Sequence, residues 1–184
     1  MASLQTLSDP DRRTAARWAV CCAQHVLPLF DGDAMSKEQV LDALARAGAY
    51  SRGESSAAEE IGKRMAAVKA AGAAATPAGA AAARSVAQAA AVAHMGAHAL
   101  GAAAYAAKAV ALANPGRPER VQEEIRWQLE QLTPEERAVL RRLPPLGADT
   151  SGPLGAGLLS SGILGTAIRE IQMQLNRVQP GLQG

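Results

Sequence analysis

Apolar positions recur every three or four residues along most of this sequence, the period of a helix with one buried face. Long alternating runs of Val, Ile, Thr and aromatics do not occur, so strands are not expected. The first stripe is Trp18, Cys21, Cys22, His25, Val26 and Leu29. Ser8 or Asp9 can cap that helix, Pro10 suits its first turn and Pro28 bends or ends it, giving a helix over about 10–30. Ser36 with Gln39 reads as a capping box for a helix over about 36–50, with Val40, Leu41, Leu44, Ala47 and Tyr50 inside. Ser56 with Glu59 repeats the signal for a helix over about 56–74, with Ile61, Met65 and Val68 turned inward.

The pattern then changes. From Ser85 to Ala107 there is no Asp, Glu, Lys or Arg, and most side chains are Ala, the strongest helix former and one of the least bulky. Such a segment can lie at the centre of a bundle with neighbours close on every side. It is expected as one central helix over about 78–113, kinked near Gly96 or Gly101. Asn114-Pro115-Gly116-Arg117-Pro118 stops it. A helix over about 117–132 follows, with Val121, Ile125, Leu129 and Leu132 inside and Trp127 on a flank. Thr133-Pro134-Glu135-Glu136 combines cap, first-turn proline and capping-box glutamate, and starts a short helix to about Arg142. After Leu143-Pro144-Pro145 the segment Gly147–Gly165 is rich in Gly and Ser but carries several Leu. A last helix is expected over about 160–178, with a narrow seam of Ile168, Ile171, Leu175 and Val178. That seam either packs on the bundle or pairs with a second copy, because a short isolated helix is marginal in water.

These elements give an all-α protein. Residues 1–145 form a single bundle of five or six helices around the Ala-rich central helix, and residues 146–184 form a connector and C-terminal helix. A length of 184 residues is enough to bury a core. With 48% apolar residues but only 3% aromatic, that core must come from close helix contact rather than large side groups.

Charge and cysteine content narrow the function classes. A net charge of +2 does not suggest a nucleic-acid binder. The uncharged run is long enough to cross a bilayer, but Gln88, two histidines and weakly apolar alanines argue against insertion. The two cysteines are adjacent and point about 100° apart on a helix, so no structural disulfide is expected, and the N-terminus shows no signal peptide pattern. A cytoplasmic location follows as the expectation. Arg supplies most of the basic residues; with the Ala excess, this is the composition of a GC-rich bacterial genome.

The candidate chemistry centres on histidine. His94 and His98 are four apart, so on a continuous helix both rings leave the same side. Cys21 and His25 share that spacing on the first helix. If the two helices face each other, His25, His94 and His98, with Cys21, could bind zinc; the alternative is core imidazoles bonded to neighbours. No organic cofactor is expected. A third reading is catalytic: His94, His98 and His25 move protons near neutrality, and Tyr105, two turns past His98, donates to a developing oxyanion. Cys21 or Cys22 beside an imidazole could be activated as a thiolate. Apolar walls would suit a cyclase, isomerase or lyase better than a hydrolase. Trp18 and Trp127 read as anchors of the core or of a binding rim. Arg12, Arg13 and Arg17, and separately Arg137, Arg141 and Arg142, read as solvated faces or as a surface for an acidic partner.

The segments RRTAARWAVCCAQHVLPLF, AYSRGE, AHMGAHALGAAAYAAKAV and RWQLEQL, in that order over about residues 11–143, resemble a family of helical actinobacterial putative immunity proteins. The most specific part is the AH-x3-H-x-LG-x-AAY pattern, carried by His94, His98, Leu100, Gly101 and Tyr105. The resemblance implies a helical domain that protects a toxin producer. Two functions are therefore expected. The first is a binding protein that sequesters a toxin or a small apolar metabolite through arginine-bearing helix faces or the histidine-lined cavity, with Trp18, Cys21, Cys22, Gly101 and Trp127 as binding residues. The second is a small cofactor-independent enzyme of specialised metabolism that uses the histidines. A homodimer through the C-terminal helix is compatible with either.

Overall fold

Start signals in the sequence fix most of the helices. In the computed structural model, which describes residues 3–61, 63 and 65–177, Ser8 accepts a hydrogen bond from the amide of Asp11 and opens helix α1, Asp9–Val26. A single 3-10 turn, Leu27–Leu29, carries Pro28. Helix α2, Ala34–Ser51, is capped by Asp33, whose Oδ1 accepts from the amide of Ser36 at 2.8 Å. Asp33 thus takes the capping role expected of Ser36, and Ser36 is buried. The Ser56–Glu59 box forms as expected and opens α3, Ala57–Ile61. Helix α4 follows as Met65–Ala71, and the expected single helix over 56–74 is therefore described as two short ones.

The largest departure lies in the Ala-rich segment. It forms two helices, α5 (Pro77–Ala91) and α6 (His98–Ala113), folded against each other as a hairpin. A single helix over about 36 residues would extend about 54 Å, and most of its small side groups would have no partner. Folded back, Ala82, Ala83, Ala89, Ala99, Ala102, Ala103 and Ala106 are all buried, and the Ser85 hydroxyl donates to the Ala102 carbonyl at 2.7 Å between the helices. The turn at 92–97 is completed from outside: the Gly96 amide donates to the Thr6 carbonyl and the Ala97 amide to the Gln5 carbonyl, both at 3.0 Å. The break falls at the Gly96 position, whereas Gly101 lies inside α6.

Helix α1 packs on both helices of this hairpin, and α2 and α4 pack on α5. Helix α7 (Pro118–Glu130) packs on α6, α8 (Pro134–Leu140) on α1, and α9 (Gly162–Asn176) on α6 and α7. The Thr133–Glu136 capping box is complete at the start of α8. Ile168, Ile171 and Leu175 are buried, so in this structure the seam packs within the protomer; Val178 lies outside the described residues. Among the described residues there is no strand, and no helix is long and apolar enough to cross a membrane.

The inward faces expected of two elements are corrected. Ile61, Met65 and Val68 are exposed, while Glu60, Ala67, Ala70 and Ala71 are buried; Leu41 is likewise exposed, beside buried Val40 and Leu44. The Ala-lined surface of α5 takes small side groups at close range, so the register of α4 follows fit rather than side-group size.

Candidate functional site

The histidines expected to act together do not meet. His94 sits in the α5–α6 turn and is exposed, so the helical i, i+4 pair does not form. His98 opens α6 and is half-buried, with Nδ1 2.8 Å from Oε1 of Gln88. His25 is near the C-terminal end of α1 and shares a groove with Val110 and Asn114 at the far end of α6. From His98 to Val110 the helix rises about 18 Å, so the ring of His25 is remote from the other two. Tyr105 lies between these ends, buried in the hairpin, where desolvation pushes its phenol above the ordinary range against the pull of Arg84. Among the described residues, no group of three or more His, Cys, Asp or Glu residues is placed to hold a metal ion.

The cysteines and Trp18 belong to the core of α1. Trp18 and Cys22 are fully buried and Cys21 is half-buried. Burial pushes the Cys21 thiol up and the Cys22 thiol well up, which leaves little thiolate at neutral pH. Gly101 is a close-approach position: a Cβ there would stand 2.9 Å from Cδ of Gln88 and 3.2 Å from a methyl of Leu159.

What the fold does bring together is His25 and Trp127. Their rings stack with centroids 3.6 Å apart and planes 15° from parallel. His25 Nδ1 lies 2.8 Å from Oε2 of Glu124, a carboxylate that is 3% exposed. Gln128 Nε2 donates to Oε1 of Glu124 at 3.0 Å and to the Ala103 carbonyl at 3.1 Å, while the Gln128 carbonyl accepts from the Trp18 indole at 2.7 Å. Oε1 of Gln128 is buried without a hydrogen-bond partner among the described residues. A polar network therefore runs from the deepest tryptophan of α1 through α7 to the surface ring of His25.

That ring opens onto a groove of about 350 Å³ lined by His25, Pro28, Leu29, Val110, Asn114, Arg120, Glu123, Glu124 and Trp127. Glu123 is paired with Arg120 at 2.7 Å. Sequence reasoning marked His25 and Trp127 separately but missed Glu124 and Gln128. Their spacing of four, beside the stripe Val121–Ile125–Leu129, was the available signal for a second, polar buried row on α7.

The arginine clusters are largely spent on internal ties. Arg13 bonds Asp9 and the carbonyls of Tyr50 and Ser55, and lies 4.5 Å over the Tyr50 ring. Arg17 pairs with buried Glu136, and Arg142 with Asp11 at 2.6 Å. The aromatic, mixed-charge groove beside His25 and Trp127 is the candidate site because it joins a ring stack to a buried carboxylate.

Comparison with known families gives this geometry a context. Residues 5–135 match the family described as Imm-5 like putative immunity protein, more than half of the 184 residues. The protein belongs to that family. In this Imm-5 like protein the family segment contains α1 to α7 and both rings of the His25–Trp127 stack, while α9 and the segment before it lie beyond it. No curated protein and no solved structure matches it.

Proposed function

We propose that this Imm-5 like protein is a binding protein that neutralises a polypeptide toxin, and that the toxin docks on the groove beside His25 and Trp127. Membership of an immunity-like family supports the class of function. The observation that carries the location is the stacked His25–Trp127 pair: two rings far apart in sequence meet at the surface over a buried carboxylate. Aromatic groups held rigid at the edge of a groove lose little entropy on binding, and such residues dominate interface energies. The exposure of His94, and the distance of His25 from His98, do not support a shared site for the three histidines. The expected setting is the cytoplasm of the bacterium that makes the toxin.

The test is growth rescue by co-expression with a toxin encoded by a neighbouring gene, with direct binding measured by titration calorimetry. Wild-type protein should protect. Trp127→Ala and His25→Ala should keep their helical circular dichroism and weaken toxin binding about tenfold or more, the loss typical of an interface anchor. Absence of both protection and binding by the wild type would remove the immunity reading. Full protection and unchanged affinity in both variants would move the docking surface elsewhere.

A further inference from the structure

A second concave site lies on another face of α7, between α7 and α9. Both helices pack on α6 far more than on each other, so a groove remains between them, with Ala111 of α6 among its lining residues. Its larger compartment, about 570 Å³, is walled by Pro118, Val121, Ile125, Ile163 and Ala167. A smaller compartment of about 200 Å³ adjoins it, and Gln122, Ile125 and Glu170 line both. All three residues of the α7 stripe, Val121, Ile125 and Leu129, border this groove, and the first and last are only partly buried. Ile163 of α9 is 40% exposed beside them. The apolar stripe of an amphipathic helix ordinarily meets a neighbour along its length, whereas this one faces open space.

The polar groups around these walls are of two kinds. Arg117 is tied to Glu119 at 3.0 Å, and the Asn114 amide donates to the Val110 carbonyl at 2.9 Å, so both are spent within the fold. Glu170 and Arg126 are not. They line the smaller compartment from α9 and α7, and they do not form an ion pair with each other. Among the described residues the one partner of Glu170 is a neutral amide, Gln174 Nε2 at 2.8 Å, and Arg126 has no bonded partner. An apolar compartment thus ends at one uncompensated carboxylate and one uncompensated guanidinium. A ligand with only a cation would meet Arg126, and one with only an anion would meet Glu170. A molecule that carries both charges on neighbouring atoms offsets both. The compartment is within the size range of small-molecule sites.

We propose that the α7–α9 groove binds a large apolar α-amino acid, with its side group between Val121, Ile125 and Ile163, its ammonium on Glu170 and its carboxylate on Arg126. The side group covers the open stripe of α7, and the two head groups make charge-assisted hydrogen bonds to facing helices. The Arg126 wall lies inside the family segment 5–135 and the Glu170 wall beyond it, so the site is complete only with α9. It is separate from toxin docking and stands whether or not that reading holds.

The experiment titrates isotope-labelled full-length protein with L-phenylalanine, L-phenylalanine amide and N-acetyl-L-phenylalanine. These share one side group and carry both charges, only the cation, or only the anion. Amide resonances of Val121, Ile125, Ile163 and Ala167 should shift to saturation with a Kd of about 1 mM or tighter for phenylalanine, and about fivefold or more weaker for each derivative. Glu170→Gln should abolish the preference over the N-acetyl compound, and Arg126→Gln the preference over the amide. Ile163→Trp fills the compartment from an exposed position and should weaken phenylalanine binding about tenfold. Absence of a saturable shift along α7 and α9 by about 20 mM phenylalanine overturns the proposal. A ranking of the three compounds that neither charge substitution alters overturns it equally.

Discussion

Single positions in this protein act through close approach more than through bulk. Gly96 shows this in the α5–α6 turn, where a Cβ would stand 2.7 Å from Cγ and 3.1 Å from Cβ of Leu7. Leu7 holds φ at +61°, a left-handed value that costs a branched residue of order 1 kcal/mol, and it does so to place its isobutyl group on Gly96. Gly96→Ala should therefore destabilise the fold by roughly 1–3 kcal/mol, the usual range for overpacking, and no helix-propensity gain offsets it because the residue is outside a helix. Urea unfolding followed by circular dichroism measures this; an unchanged midpoint would show that Leu7 moves aside freely. Glycine in the His94–Tyr105 region was legible as a break. That Gly96 makes the break and Gly101 seats Gln88 was not, because both readings depend on what lies across the contact.

The helices show where local rules suffice. Ser8, Ser56 and Thr133 cap as their hydroxyls dictate, and helix ends fall within a few residues of the punctuation by Pro28, Pro118 and Pro134. At α8 the cap is joined to the tertiary structure, since Glu136 closes the capping box and also binds Arg17 of α1. Thr133→Ala should cost about 1 kcal/mol, the ordinary value of a cap. Glu136→Ala should cost more, because it removes the cap partner and the tie to α1 together, whereas Arg17→Ala should remove the tie and the Arg17 bond to the Gln131 carbonyl. A double-mutant cycle of Arg17→Ala with Glu136→Ala on thermal stability measures the pair; additive losses would mean that the Arg17–Glu136 contact contributes nothing. The interior of α4 was not legible. Ile61, Met65 and Val68 look like a core stripe by hydropathy, but the alanines on the other face fit the α5 surface more closely.

Across the whole molecule, charge ties join the start of α1 to α2 and to the residues just after α8. Hydrogen bonding and the charge of Arg13, with Tyr50, hold the Asp9 carboxyl below its ordinary range, and Ser8 and Arg142 do the same for Asp11. A carboxyl with a depressed folded pKa adds stability that is present above its unfolded value, near 4, and lost as pH falls through the folded value. Stability should thus be flat from about pH 7 to pH 5 with respect to these two groups and fall below about pH 4. Asp9→Asn and Asp11→Asn should flatten the fall while lowering stability at neutral pH. Urea midpoints from neutral pH down to about pH 2.5 test this; a profile identical in wild type and variants would assign the acid loss to other groups.

Hydrophobic period, capping residues and prolines determined that this protein is all-α and roughly where most of its helices start, because those signals act over three or four residues and need no distant partner. Its membership of an immunity-like family was also carried by local segments. Tertiary structure alone decided that the Ala-rich run folds back on itself, because small side groups gain by meeting another small-sided helix and not by lengthening one rod. It alone decided that His25 meets Trp127 rather than His94, and that the Gln5 amide meets Asp149, Ser151 and Leu154. Those pairings depend on which ends of the helices come to lie together, and no spacing along the sequence encodes that distance.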